Sequence, residues 1–428
     1  MKESNMMTKR FQMLTAAFIP LLVAGIAGSA AGQIPGFNYD ESKVPDYKLP
    51  NPLVFNSGKA VTSAKQWTSK RRGEVLELFR REVYGRQPKD APGLYTEELE
   101  RSENALGGIA IRRQIRLYLG RRGEQPYMDL LVYQPNDAEK AVPVFMGPNF
   151  RGNHTTDHDP AIHAKEYHKG QSVVMEKRGE KAHRWQAELI VKSGFAVATV
   201  YYGDIDPDFD DNWKNGWHKY FPMDDPVKPD AWGSIATWAW GLSRVVDYLE
   251  SDDTLDHDKV ALIGHSRLGK TALWAGAEDE RFKIVISNNS GCGGAALSRR
   301  RFGETVERIN QVFPHWFCDN FNKYNGNEDE LPVDQHMLIS LIAPRPVYIA
   351  SATGDEWADP NGEFKSGKGA ESVYALFGLK GLGVESQPKP NTPIGDAIGY
   401  HLREGPHDVM KFDWIQYIQF AKRHFEIK

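Results

Sequence analysis

Val260-Ala261-Leu262-Ile263-Gly264-His265-Ser266-Arg267-Leu268-Gly269-Lys270 is the stretch that decides the fold of this 428-residue chain. Its four leading apolar residues read as a buried strand. Gly264 ends the run, and a helix-forming stretch follows over 270–277. A serine between glycines at such a strand-to-helix junction sits on a nucleophile elbow, with its hydroxyl exposed at the sheet edge under a helix amino terminus. Gly-x-Ser-x-Gly by itself occurs in many surface loops, so the flanking strand and helix carry the meaning.

Working outward, strand-like runs occupy 109–119, 128–133 and 142–146, and a helix is expected over 67–84. Strands and helices then alternate: helix 184–192, strand 195–201, helix 232–249, the quoted strand and helix, strand 284–286, strand 346–350 and a closing helix over 413–425. Such alternation implies crossover connections. The expected class is α/β: an α/β-hydrolase fold with a mostly parallel central sheet and helices on both faces. Residues 33–53, rich in Pro, Asp and Asn, read as a surface strap.

Lys2, Lys9 and Arg10, an apolar stretch over 11–26, and Gly28-Ser29-Ala30-Ala31 match the three parts of a secretory signal. Residues 1–31 are therefore set aside, and 32–428 is expected to form a single catalytic domain that is secreted or periplasmic, without stable membrane association. A net charge of −4 gives no basic field for nucleic acid. With 40% hydrophobic residues and only two cysteines, Cys292 and Cys318, the core rather than a disulfide network must hold the fold. Sequence leaves their pairing open.

A serine hydroxyl needs a base, and the base needs a group that fixes its tautomer. The α/β-hydrolase order is Ser, acid, His. His407, in Gly405-Pro406-His407-Asp408 before the final helix, fits as base. His265, His315, His336 and His401 compete, and His265 is expected to point away if Ser266 points up. Asp355, just beyond the 346–350 strand, fits as acid, with Glu356 and Asp359 as neighbouring alternatives. The backbone N–H of Arg267 follows the nucleophile and is placed for an oxyanion; its guanidinium adds charge if it folds back over the site.

Asn149-Phe150-Arg151-Gly152-Asn153-His154, Tyr202-Gly203-Asp204-Ile205-Asp206-Pro207, Gly264 to Lys270, Asn288 to Ala295, Trp357-Ala358-Asp359-Pro360 and Gly405-Pro406-His407 resemble the bacterial glucuronoyl esterases of carbohydrate esterase family 15. The resemblance spans nearly the whole mature chain. It implies cleavage of esters between (4-O-methyl) glucuronic acid on xylan and lignin alcohols, with glucuronoxylan and lignin–carbohydrate esters as substrate. It further implies Ser266 as nucleophile, His407 as base, Arg267 at the oxyanion, and Lys270, Glu304 and Trp357 in the uronate pocket. Asn289 stands where fungal members carry their catalytic glutamate, so the acid would come from Asp355. His265 and Asp408 replace the cysteines that flank nucleophile and base in fungal members. No cofactor and no metal are expected, and the protein is expected to act as a monomer. A deacetylase of plant polysaccharide and a non-catalytic polysaccharide-binding protein are the alternatives.

Other signals receive plain readings. Lys270 on a helix is more often a solvated charge. Trp316 and Trp213 are expected to serve packing. His154, Asp157, His158 and the acidic run 204–211 hint at metal ligands without a known spacing, and read as turns and solvated loops. Arg299-Arg300-Arg301 reads as a wet basic face.

Overall fold

Ten strands form one sheet in a computed structural model that describes residues 33–123, 126–221 and 227–427. In chain order they are β1 (Leu94–Asn104), β2 (Ala110–Leu119), β3 (Tyr127–Pro135), β4 (Val142–Asn149), β5 (Ala196–Tyr201), β6 (Leu255–His265), β7 (Ile284–Asn288), β8 (Val347–Ala352), β9 (Ile394–Gly395) and β10 (Ile398–Arg403). The spatial order is β1-β2-β3-β5-β4-β6-β7-β8-β10-β9. From β5 to β10 every pairing is parallel, whereas β1, β2 and β3 at one edge and β9 at the other pair antiparallel. The expected mostly parallel sheet is present. The signal-like residues 1–31 lie outside the described residues.

The two faces of the sheet carry separate apolar clusters. Successive strand side chains point to opposite faces. In β6, Leu262 joins the cluster holding Trp238, Trp274 and Phe79, while Ile263 joins that of Phe145, Ile286 and Trp414. Each side chain so buried contributes about 1.5–3 kcal/mol. Helix α1 (Ser234–Leu249) buries every residue except Arg244 and Asp247, and α2 (Arg267–Glu278) buries Leu268 through Ala277. Helix α2 starts at the carboxyl end of β6, with Ser266 as the single residue between strand and helix.

Several elements differ from the sequence reading. The 184–192 helix is shorter, Ala187–Lys192, because Gln186 adopts φ 33° and breaks the preceding turn. Helix α3 (Pro360–Ala375), unread in the sequence, contains Gly362, Gly367 and Gly369, starts on Pro360 and is capped by the Asp359 carboxylate, which accepts from Gly362 N–H. The closing helix α4 runs Lys411–His424. The 299–301 triplet is not a wet face: Arg300 is fully buried against Asp359 and reaches Glu41, and Arg299 is buried on Asp334. Both cysteines are buried and free.

Candidate active site

Backbone strain marks the elbow. Ser266 has φ 58° and ψ −129°, a conformation that costs a non-glycine residue about 1–3 kcal/mol and persists only where surroundings impose it. What imposes it is the closeness of strand and helix: a Cβ on Gly264 would overlap the Leu268 carbonyl. Ser266 N–H donates to Asn288 C=O at 2.9 Å, tying the turn to β7.

His407 lies in the loop between β10 and α4. Its Nδ1 meets Asp355 Oδ2 at 2.5 Å, and the Asp355 side chain is 4% exposed. Asn289 Nδ2 donates to the same oxygen at 2.8 Å. Burial pushes the Asp355 carboxyl up, but the His407 charge, the bonds from His407 and Asn289, and nearby Lys270 outweigh it and hold it below its ordinary value. Neither alternative acid bonds His407 among the described residues, although Glu356 lines the cleft beside it. Glu356 is exposed and accepts from Gln33, and Asp359 is occupied by Arg300 and the start of α3. Asn289, at φ 48°, thus supports the carboxylate that stands one strand over.

His265 does not point away. Its ring lies 4.5 Å from that of His407, centroid to centroid, and its Nδ1 bonds Asn288 Oδ1 at 2.6 Å. Burial, then the neighbouring His407 and Arg184 charges, hold His265 well below the usual histidine range, so it stays neutral beside His407. The loop itself is pinned from behind. Asp408 accepts from Arg184 Nε at 2.5 Å and pairs with His183 Nε2 at 3.0 Å, while Arg403 donates to the carbonyls of Pro406 and Asp408.

Ser266 and His407 face a cleft of about 300 Å³ lined also by Arg267, Lys270, Asn289, Glu304, Phe313, Trp316, Asp355 and Trp357. Arg267 does fold back: its guanidinium sits 4.7 Å from the Trp316 ring and 5.3 Å from Phe313, and it pairs with Asp208. Lys270 is not a solvated charge. It is 4% exposed, donates to Ser290 C=O and lies 3.7 Å from Glu304. Burial raises the Glu304 carboxyl, and Lys270 and Arg267 pull it back only in part. Trp357 contacts Phe37 edge-on at 4.9 Å, and its C=O accepts from Glu304 N–H. The 33–53 strap is therefore part of the wall, with Gln33, Ile34 and Tyr39 on the cleft.

Sequence reading missed Trp316 and Asp208 here. Trp316 is 2% exposed and supplies a cleft wall, while Trp213 does not line it. The acidic run is not a solvated loop: Asp204 pairs with Lys165, Asp206 is buried on Ser234 and His218, and Asp208 holds Arg267. His154 is buried as well, with Nε2 on Glu176 C=O. Among the described residues, no group of three or more His, Cys, Asp or Glu is placed to hold a metal ion. His315 bonds Asp208, His336 the Pro50 carbonyl and His401 Asp413, each outside the cleft.

The fold and the cleft define a carboxylic ester hydrolase of the α/β-hydrolase class. A family model described as "Glucuronyl esterase, fungi" matches residues 172–378. A carbohydrate esterase, MZ0003, from an unknown prokaryotic organism is 53% identical over 91% of this chain and 92% of its own length. A 4-O-methyl-glucuronoyl methylesterase of Phanerochaete carnosa is 27% identical over 86% of this chain and 82% of its own. Among solved structures, the glucuronoyl esterase from Solibacter usitatus matches with a TM-score of 0.87 at 46% identity, covering 90% of this chain and all of that one. The chain belongs to the glucuronoyl esterases of carbohydrate esterase family 15.

No helix of the described residues is long and apolar enough to cross a membrane.

Proposed function

We propose that Ser266, His407 and Asp355 hydrolyse esters of (4-O-methyl) glucuronic acid through an acyl-enzyme, with glucuronoxylan joined to lignin alcohols as the natural substrate. The observation that carries this reading is the 2.5 Å contact of His407 Nδ1 with a buried carboxylate at the edge of a cleft that also holds the strained Ser266 and two cations. Asp355 keeps the proton on Nδ1, which leaves Nε2 to take the Ser266 proton as the hydroxyl attacks the ester carbon. The carbonyl oxygen gains charge, and the Arg267 N–H at the helix start and its guanidinium stabilise it. When the tetrahedral adduct collapses, His407 returns the proton to the departing alcohol. Water then attacks the acyl-enzyme by the same route, and uronate leaves.

The uronate ring is assigned to the side bearing Lys270, Glu304 and Trp357. Lys270 offers donors to sugar hydroxyls, the Glu304 carboxylate accepts from them, and Trp357 presents an apolar face. Residues 32–428 are proposed to form one catalytic domain, exported as a monomer after loss of the signal-like segment.

The test is a direct comparison of benzyl glucuronate with acetylated xylan. Faster release of benzyl alcohol supports the uronate assignment, and faster release of acetate overturns it. Ser266→Ala is expected to abolish turnover; unchanged hydrolysis would remove the serine mechanism.

A further inference from the structure

One carboxylate outside the Ser266, His407 and Asp355 set is filled to capacity. Asp208 follows β5 in the loop that begins at Tyr202, and its side chain is 6% exposed. Its Oδ1 accepts from His315 Nε2 at 2.9 Å and Trp316 Nε1 at 2.7 Å. Its Oδ2 accepts from the Tyr202 hydroxyl at 2.9 Å and from Arg267 Nη1. An ionised carboxylate offers about four lone-pair sites, so every one of them is taken. Burial raises this carboxyl, but Arg267, His315 and Trp316 hold it far below the ordinary carboxylate range.

The consequence falls on Arg267. An arginine next to a serine nucleophile has a long, flexible side chain, and charge stabilisation works only if the donor is already aimed where charge develops. Asp208 engages Nη1, while the Trp316 and Phe313 rings cover the guanidinium at 4.7 and 5.3 Å. Nη2 has no hydrogen-bond partner among the described residues, and the side chain remains 28% exposed on the cleft. One carboxylate thus joins three segments distant in sequence: the loop after β5, the start of α2 and the 313–316 turn.

We propose that Asp208 is a positioning residue for ester hydrolysis, which fixes the Arg267 guanidinium toward the oxyanion and locks it to the Trp316 wall of the same cleft. The proposal rests on the oxyanion role proposed for Arg267. Its logic is specific to a carboxylate. An asparagine would turn one oxygen into an NH2 group that faces either Arg267 and Tyr202 or Trp316 and His315. Tyrosine and neutral histidine can accept from it, but arginine and tryptophan can only donate. Either orientation breaks one of the two contacts that define the site.

The experiment measures kcat and KM on benzyl glucuronate for Asp208→Asn, Arg267→Ala and the double variant, with and without tens of millimolar guanidinium. Asp208→Asn is expected to lower kcat by about ten- to a hundredfold with KM changed by less than about threefold. In the Arg267→Ala background the same substitution is expected to cost less than about twofold, because the two residues act as a unit. Guanidinium should restore Arg267→Ala by about tenfold or more, and fail to do so in the double variant. Equal losses in both backgrounds, or rescue that ignores Asp208, would overturn the proposal. Arg267→Ala with parental kcat would remove the oxyanion assignment itself and the proposal with it, a pattern distinct from a failure at Asp208 alone. Should Asp208→Asn not fold, Asp208→Glu carries the same test, since it keeps the charge but moves it by one methylene.

Discussion

Replacing Asp355 by alanine removes the carboxylate bonded to His407, the group proposed to orient the base. The lost contact is a 2.5 Å bond between a carboxylate that is 4% exposed and His407 Nδ1. A hydrogen bond to a charged group contributes about 1.5–3 kcal/mol, and the imidazolium formed during attack loses its buried counter-charge as well. Taking about 3 kcal/mol, and a tenfold change in rate for each 1.36 kcal/mol, kcat should fall by at least about a hundredfold. Steady-state release of benzyl alcohol from benzyl glucuronate at saturation reads this directly. Glu356→Ala serves as the control, because Glu356 lines the same cleft but is exposed and, among the described residues, its side chain bonds Gln33 rather than His407. A kcat for Asp355→Ala within tenfold of the parent, or a larger loss for Glu356→Ala, would refute the assignment.

Glu304→Gln keeps the shape of the side proposed to hold the uronate but removes the charge facing Lys270, and is expected to raise KM about tenfold, or about 1.4 kcal/mol, with a smaller change in kcat. Gly264→Ala forces a methyl group into the Leu268 carbonyl; a loss of about 3 kcal/mol or more in urea unfolding, with activity lost alongside, is expected. Asp408 is raised by burial but held well below its ordinary value by His183, Arg184 and the Val409 N–H. A depressed carboxylate contributes stability that is present above its unfolded pKa and fades as pH falls through the folded value. Asp408→Asn should therefore cost about 1–3 kcal/mol near neutrality, a gap that narrows below about pH 4. A gap that stays constant across that range in pH-dependent unfolding would contradict the role given to Asp408.

The elbow was legible because its signals are local: apolar residues before Gly264, small residues around Ser266, and a helix former after them. Order along the chain led to the 355–359 segment, and the fold brings Asp355 of that segment onto His407. What sequence hid depends on partners far away. Strand β1 lacks an apolar alternation because its Glu97, Glu98 and Glu100 find arginines: Arg122, then Arg113 and Arg112 on β2. Helix α3 carries three glycines, each about 1 kcal/mol poorer than alanine in a helix, and is held instead by burial and by the Asp359 cap. Arg300 and Asp208 look like surface charges until Asp359 and Arg267 are brought against them by the fold. His265 follows the same rule. Its neighbour in sequence is Ser266, but its neighbour in space is His407.

The most direct measurement is a crystal structure of Ser266→Ala with benzyl glucuronate bound. The account predicts the uronate ring between Trp357, Lys270 and Glu304, with the ester carbonyl oxygen against the Arg267 N–H and the scissile carbon within reach of residue 266. A uronate bound outside this cleft, or held there with its ester turned away from residue 266 and His407, would contradict it.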